Sequence, residues 1–257
     1  MNDFFTVTGL TRTFGGVVAI DALDFAQKKG SIFSIIGPNG AGKTTLFNCI
    51  SGIYRPDSGE IRFQGRRIDG LKPDAIARHG IARTFQNLEL FFRMTTMENL
   101  MLGRHIHMRT NIWHGLTMFH KNSTAAREEA EHREKVEHII DLLDLQSARD
   151  VPVGALPYGR QKLVELGRAL ALEPSLLLLD EPSAGMTSDE RQDLFFWIKD
   201  IQQELGVSIL MIEHNMQMVM DISDRVLAID FGKKLVEGTP EEVAAHPEVI
   251  KAYLGED

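Results

Sequence analysis

Short, almost uniformly apolar runs alternate along this chain with longer stretches whose apolar residues recur at helical spacing. Ser31-Ile32-Phe33-Ser34-Ile35-Ile36 is the clearest run, and its β-branched, two-sided apolar make-up reads as a buried strand that stops at a glycine-rich loop. Helix is predicted from about Lys43 to Ser51. Ser175–Leu179 and Val207–Ile212 are further buried strands, each preceded by helical sequence, which is the alternation of a mostly parallel sheet. Nearer the start, Phe4–Thr8 and Val17–Ile20 flank the Gly15-Gly16 turn and read as an antiparallel β element, followed by strand-like Glu60–Phe63. Val226–Ile229 and Lys234–Glu237 make a late hairpin around Phe231-Gly232.

From about Leu88 to Leu145 strand signals give way to helical ones. Val136, Ile139, Ile140, Leu142 and Leu143 follow a run rich in Glu and Arg, so Thr124–Leu145 reads as an amphipathic helix. The expected fold is therefore α/β: one domain over residues 1–257, with a mostly parallel sheet, an N-terminal antiparallel β element and an inserted helical lobe at about 88–172.

Composition narrows the classes. The 257 residues suffice for a full core, and a formal net charge of -8 argues against a broad basic surface for nucleic acid. The single cysteine, Cys49, excludes an internal disulfide framework, and its neighbours Phe47 and Ile50 make it a small packing residue. No apolar run approaches the roughly 18 residues that cross a bilayer. Met1–Leu10 also lacks a basic region followed by an apolar one, so a cytoplasmic protein is expected, reaching the membrane through partners.

The chemistry starts at Gly37-Pro38-Asn39-Gly40-Ala41-Gly42-Lys43-Thr44, which has the spacing Gly, four residues, Gly-Lys-Thr between a buried strand and a helix. Glycines let successive N–H groups point inward at phosphate oxygens, and the helix N-terminus adds a favourable partial charge. Lys43 is expected to reach the β and γ phosphates of ATP, Thr44 to offer a hydroxyl to Mg²⁺, and Thr45 to touch the α phosphate. Leu176–Leu179 then delivers Asp180-Glu181-Pro182 at a strand end that could lie beside the phosphate-loop strand. Such a pair divides the work: Asp180 would hold Mg²⁺ through its waters, and Glu181 would orient and polarise the attacking water.

Taken together these residues resemble the ATP-binding cassette ATPases, a branch of the P-loop NTPases. Gly37–Thr45 is similar to the Walker A motif, Leu176–Glu181 to Walker B with its catalytic glutamate, and Leu156-Pro157-Tyr158-Gly159-Arg160-Gln161 to the signature motif. The resemblance implies that Phe14 stacks on adenine, that Gln86 senses Mg²⁺ and water, and that His214 contacts the γ phosphate. It also implies that Ser183-Ala184-Gly185-Met186 crosses a dimer interface, where Tyr158 and Gly159 meet the partner's nucleotide. Two departures stand out. Pro157 and Tyr158 replace the usual serine and first glycine of the signature, and Met186-Thr187 replaces an aspartate common in the interface loop.

Within the family, five stretches resemble the LivG-type subunits of branched-chain amino acid importers. They are Phe14–Ala19, Gly80–Gln86, the Tyr158-Gly159 form of the signature, an insertion near Gly103–Arg133, and Ala252-Tyr253-Leu254-Gly255. The resemblance implies an ATPase on the cytoplasmic face of the inner membrane, with two permease subunits, a second ATPase chain (identical or a sister) and a periplasmic solute-binding protein. Asn87–Phe92 would then meet a short helix of a permease subunit, Leu88, Leu90, Phe91 and Phe92 supplying apolar area. The chain stops soon after its last helix, so no appended regulatory β domain is expected. A urea or amide importer and a non-transport cassette ATPase are the alternatives; the latter usually brings a coiled coil or two cassettes, and neither is visible here.

Overall fold

A computed structural model describes residues 4–86, 88–108 and 124–254. Asn87, the 109–123 part of the insertion, and Gly255 lie outside the described residues. The chain divides into two compact units, residues 1–86 with 175–257, and residues 87–174.

The first unit holds two sheets. Strands β1 (Phe5–Phe14), β2 (Val17–Gln27), β4 (Ser58–Phe63) and β5 (Arg66–Arg67) form an antiparallel sheet in the order β2-β1-β4-β5. Both N-terminal strands run longer than their apolar runs, because alternate residues face solvent and dilute the pattern. The second sheet is ordered β10-β9-β3-β8-β7-β6, from β3 (Ile32–Ile36), β6 (Ile81–Arg83), β7 (Leu176–Asp180), β8 (Ser208–Ile212), β9 (Arg225–Asp230) and β10 (Lys233–Gly238). All its pairings are parallel except β9 with β10, the expected late hairpin. Every residue of β3, β7 and β8 is buried, as strands covered on both faces must be.

One expectation about this sheet is corrected. The strand ending in Asp180 does not lie beside the phosphate-loop strand: β8 pairs with β3 on one side and β7 on the other. Apolar content says that a strand is central but not which strand neighbours it, and here the later strand Ser208–Ile212 fills the slot.

Period-two alternation separates the two faces of the parallel sheet. Phe33, Ile35, Leu176, Leu178, Leu210, Ile212, Leu227 and Ile229 share a core with helix α1 (Lys43–Ile50) and with Phe5, Ile20, Leu23 and Ile61 of the antiparallel sheet. Ile36, Val226 and Ala228 face the other way, onto Val219, Val243 and Val249. Cys49 lies within the first core, and burial pushes its thiol up to about 11, as a packing residue requires.

Helix α2 (Pro73–Arg78) belongs to the first unit; the second unit is helical, with α3 (Thr96–Gly103), α4 (Thr124–Leu142) and α5 (Tyr158–Leu170). Thr95 and Glu98 form a capping box at the start of α3, each bonding the other's backbone N–H. Buried Asn99 ties the preceding non-helical segment down: its Oδ1 accepts from Phe91 N and its Nδ2 donates to Phe91, Met94 and Thr95 carbonyls. Leu90 is buried while Phe91 and Phe92 are exposed. Among the described residues no helix is long and apolar enough to cross a membrane.

Candidate functional site

The phosphate loop leaves β3 with Gly37 buried in a close approach: a Cβ there would run into the carbonyl oxygen of Ile229. The same holds at Gly42, whose Cα faces the carbonyl of Ala19, and there a φ of +101° also excludes an ordinary side chain. The loop is therefore clamped between β2 and β9. It is further pinned by Gly232 N donating to Ala41 O at 3.0 Å. Helix α1 starts at Lys43 with no side-chain cap and no acidic residue in its first turn, which keeps its positive end available for an anion. Lys43 Nζ curls over the loop, donating to Gly37 O (2.7 Å) and Pro38 O (2.9 Å). Burial lowers its pKa from the usual lysine range, opposed by the negative charges of Glu181 and Asp180. Asn39, Gly40 and Thr44 are exposed and Thr45 is half-buried.

At the end of β7, Glu181 sits in the left-handed region (φ 49°), uncommon for a non-glycine residue and held by its N–H donating to Ile212 O at 2.9 Å. The turn aims its carboxylate between two side chains that sequence places far away. Gln86 Nε2 donates to Oε2 at 3.0 Å, and His214 Nε2 stands 2.9 Å from Oε1. The expected base, the expected water sensor and the expected switch histidine thus share one carboxylate. The Oδ2 atom of Asp180 is 2.7 Å from Arg83 Nη2, with both side chains almost fully buried. Oxygen donors from Thr44, Asp180 and Gln86 suit a hard cation that keeps several waters and shares phosphate oxygens.

Phe14, at the tip of the β1–β2 hairpin, stands T-shaped to Tyr54 at 5.2 Å, with the Arg12 guanidinium 4.6 Å from its ring centre. Arg12 is in turn held by Asp57 Oδ1 at 2.8 Å. The hairpin that carries this ring also carries Ala19, against which Gly42 packs.

Helix α5 begins one residue after Pro157, which occupies the N-cap at φ -56°. Tyr158 and Gly159 are in its first turn, and Gly159 is buried while Tyr158 is exposed. No side chain caps this helix either.

Sequence reasoning passed over Glu213. Its carboxylate is buried and accepts from Ser183 Oγ (2.9 Å), Ser183 N (3.4 Å), His214 N (3.0 Å) and Asn215 N (3.1 Å). It therefore fastens the loop after Glu181 to the segment bearing His214. Its position beside His214 was the one available signal, since a glutamate continuing the buried run Ser208–Ile212 needs partners.

Comparison with known proteins agrees with this geometry. Residues 20–184 match the ABC transporter family model, and residues 233–257 match a model described as branched-chain amino acid ATP-binding cassette transporter. The chain is 43% identical over 250 residues, 97% of each chain, to the high-affinity branched-chain amino acid transport ATP-binding protein BraF of Pseudomonas aeruginosa. It is 38% identical over 251 residues, 98% of this chain and 97% of the relative, to the corresponding LivG protein of Escherichia coli. Among solved structures, a nucleotide-free ATP-binding cassette of an ABC transporter superposes with a TM-score of 0.85 at 31% identity, covering 99% of this chain and 100% of that one. The ADP conformation of another such cassette gives 0.86 at 32%, covering all of both chains.

Proposed function

This chain belongs to the ABC transporter family of ATP-hydrolysing, nucleotide-binding subunits, and on that premise we propose that it drives the uptake of branched-chain or similar hydrophobic amino acids across the inner membrane. The observation that carries the solute class is the near full-length match to the BraF and LivG subunits, supported by the separate match of residues 233–257.

In this reading ATP lies along Gly37–Thr45 with its adenine on Phe14, and Lys43 leaves the Gly37 and Pro38 carbonyls for the β and γ phosphates. Thr44, Asp180 and Gln86 would hold Mg²⁺, whose charge offsets that developing on the phosphoryl oxygens. Glu181 takes the proton of the attacking water. Gln86 and His214 keep its carboxylate aimed, and His214 turns to the γ phosphate when nucleotide is bound. Tyr158 and Gly159, at an uncapped helix start, face the nucleotide of a second ATPase chain, identical or a sister subunit. Closure of that pair is favoured because ATP binds the closed form better than the open one. Two permease subunits respond to the closure, one contacting exposed Phe91 and Phe92, and a periplasmic solute-binding protein delivers the solute. The ATPase works as a peripheral subunit at the cytoplasmic face.

Proteoliposomes holding the chain with its genomically adjacent permease subunits and solute-binding protein test this reading. ATP-dependent leucine uptake is expected, competed by isoleucine and valine; uptake of urea or short amides without leucine uptake would refute the solute class.

A further inference from the structure

Arg83 ends the short strand β6, three residues before Gln86, and its guanidinium is committed in three directions at once. Nη2 donates to Asp180 Oδ2 at 2.7 Å. Nη1 donates to Asn48 Oδ1 at 2.8 Å and to Ser51 Oγ at 2.9 Å. The group also lies over the rings of Phe47 (5.6 Å) and Phe85 (5.1 Å), which limit its rotation.

The two acceptors of Nη1 have a specific placement. Asn48 is four residues and Ser51 seven residues beyond Thr44, so all three share one face of the helix that leaves the phosphate loop. Arg83 therefore grips with one nitrogen the helix face that bears Thr44, and with another the carboxylate of Asp180. Lysine could not replace it: an ammonium supplies the charge, but not two nitrogens in a fixed planar fork.

We propose that Arg83 is a positioning residue of the magnesium site, setting Thr44 and Asp180 relative to each other so that one cation meets both. The inference rests on the reading of Thr44 and Asp180 as the metal-holding residues. Arg83 itself touches neither nucleotide nor metal. Its effect is on metal affinity, in the way residues behind a metal's ligands commonly alter affinity by about 10-fold to 100-fold.

The test is binding of a fluorescent ATP analogue, first in EDTA and then with Mg²⁺ titrated in. Arg83→Lys is expected to bind the analogue in EDTA within about two-fold of wild type, while the Mg²⁺ midpoint rises about ten-fold. Should Arg83→Lys fail to bind in EDTA, Asn48→Ala/Ser51→Ala decides, since it frees the helix face and leaves the pair with Asp180; its midpoint should rise as well. A merely competing cation beside Asp180 gives the opposite pattern, with Arg83→Lys at the wild-type midpoint and Arg83→Gln below it. That pattern, or an unchanged midpoint in Asn48→Ala/Ser51→Ala, overturns the proposal. Asp180→Asn separates the two levels: if it keeps the full Mg²⁺ response, the metal-site reading fails and the proposal with it; if it loses the response while Arg83→Lys keeps it, only the role of Arg83 fails.

Discussion

Removing the Glu213 carboxylate should loosen the loop after Glu181 from the segment that bears His214. In Glu213→Ala the Ser183 hydroxyl and three backbone amides lose their acceptor. The hydroxyl can rotate to another partner, and the Ser183 amide contact of 3.4 Å is long enough to contribute little. The amides of His214 and Asn215, at 3.0 and 3.1 Å, decide the magnitude. A half-buried amide left without an acceptor costs about 1–3 kcal/mol, so the loss for the two is about 2–6 kcal/mol. For a chain of this size each kcal/mol moves Tm by about 2–4 °C, which gives a fall of about 4–24 °C. Glu213→Gln retains one carbonyl oxygen, enough for the three shorter bonds, and should fall by only a few degrees. Its turnover should nevertheless drop about ten-fold or more, because small displacements of reacting groups are costly. Scanning calorimetry and a steady-state ATPase assay read both quantities. A Glu213→Ala protein that melts within about 2 °C of wild type would show that these bonds do not hold the site together.

Three further outcomes follow from the same geometry. Phe14→Ala should weaken ATP binding about 5-fold to 150-fold with GTP affected alike, since base stacking on an aromatic is worth about 1–3 kcal/mol whatever the base; unchanged affinity by calorimetry would remove Phe14 from the adenine site. For Cys49 the folded thiol, raised from 9.0 to about 11, keeps its proton at pH values where the unfolded thiol has lost it. Its contribution to stability is thus fully present below pH 9 and is lost as pH rises to about 11. Urea unfolding of wild type against Cys49→Ala should show that extra fall, and parallel pH profiles would contradict it. Gly159→Asp should leave monomer ATP affinity within a few-fold of normal yet prevent ATP-driven association in sedimentation; loss of monomer binding, or retained association, would show that the signature does not act on a partner's nucleotide.

Motif-bearing residues were legible in the sequence, and their supports were not. Lys43 and Glu181 stand out because loop chemistry and a buried strand leave a local signature, and Gln86 and His214, singled out by the family resemblance, both meet the Glu181 carboxylate. Arg83 and Asp180 are 97 residues apart and Ser183 and Glu213 are 30 apart, and a single sequence carries no record of such pairings. Sheet order was hidden for the same reason: Leu176–Asp180 and Ser208–Ile212 are equally apolar, so neither advertises its neighbour. Ile81–Arg83 is too short to show a strand period, although it carries the side chain that reaches Asp180.

Glu181 is where the chemistry is expected to turn, and Glu181→Gln isolates it, since the amide fills the same space without accepting a proton. With ATP and Mg²⁺, and with the permease subunits where turnover requires them, the variant should bind ATP within a few-fold of wild type. Its hydrolysis should fall by about 100-fold or more. Near wild-type hydrolysis would mean that another group activates the water, and that the convergence of Gln86 and His214 on this carboxylate serves some other end.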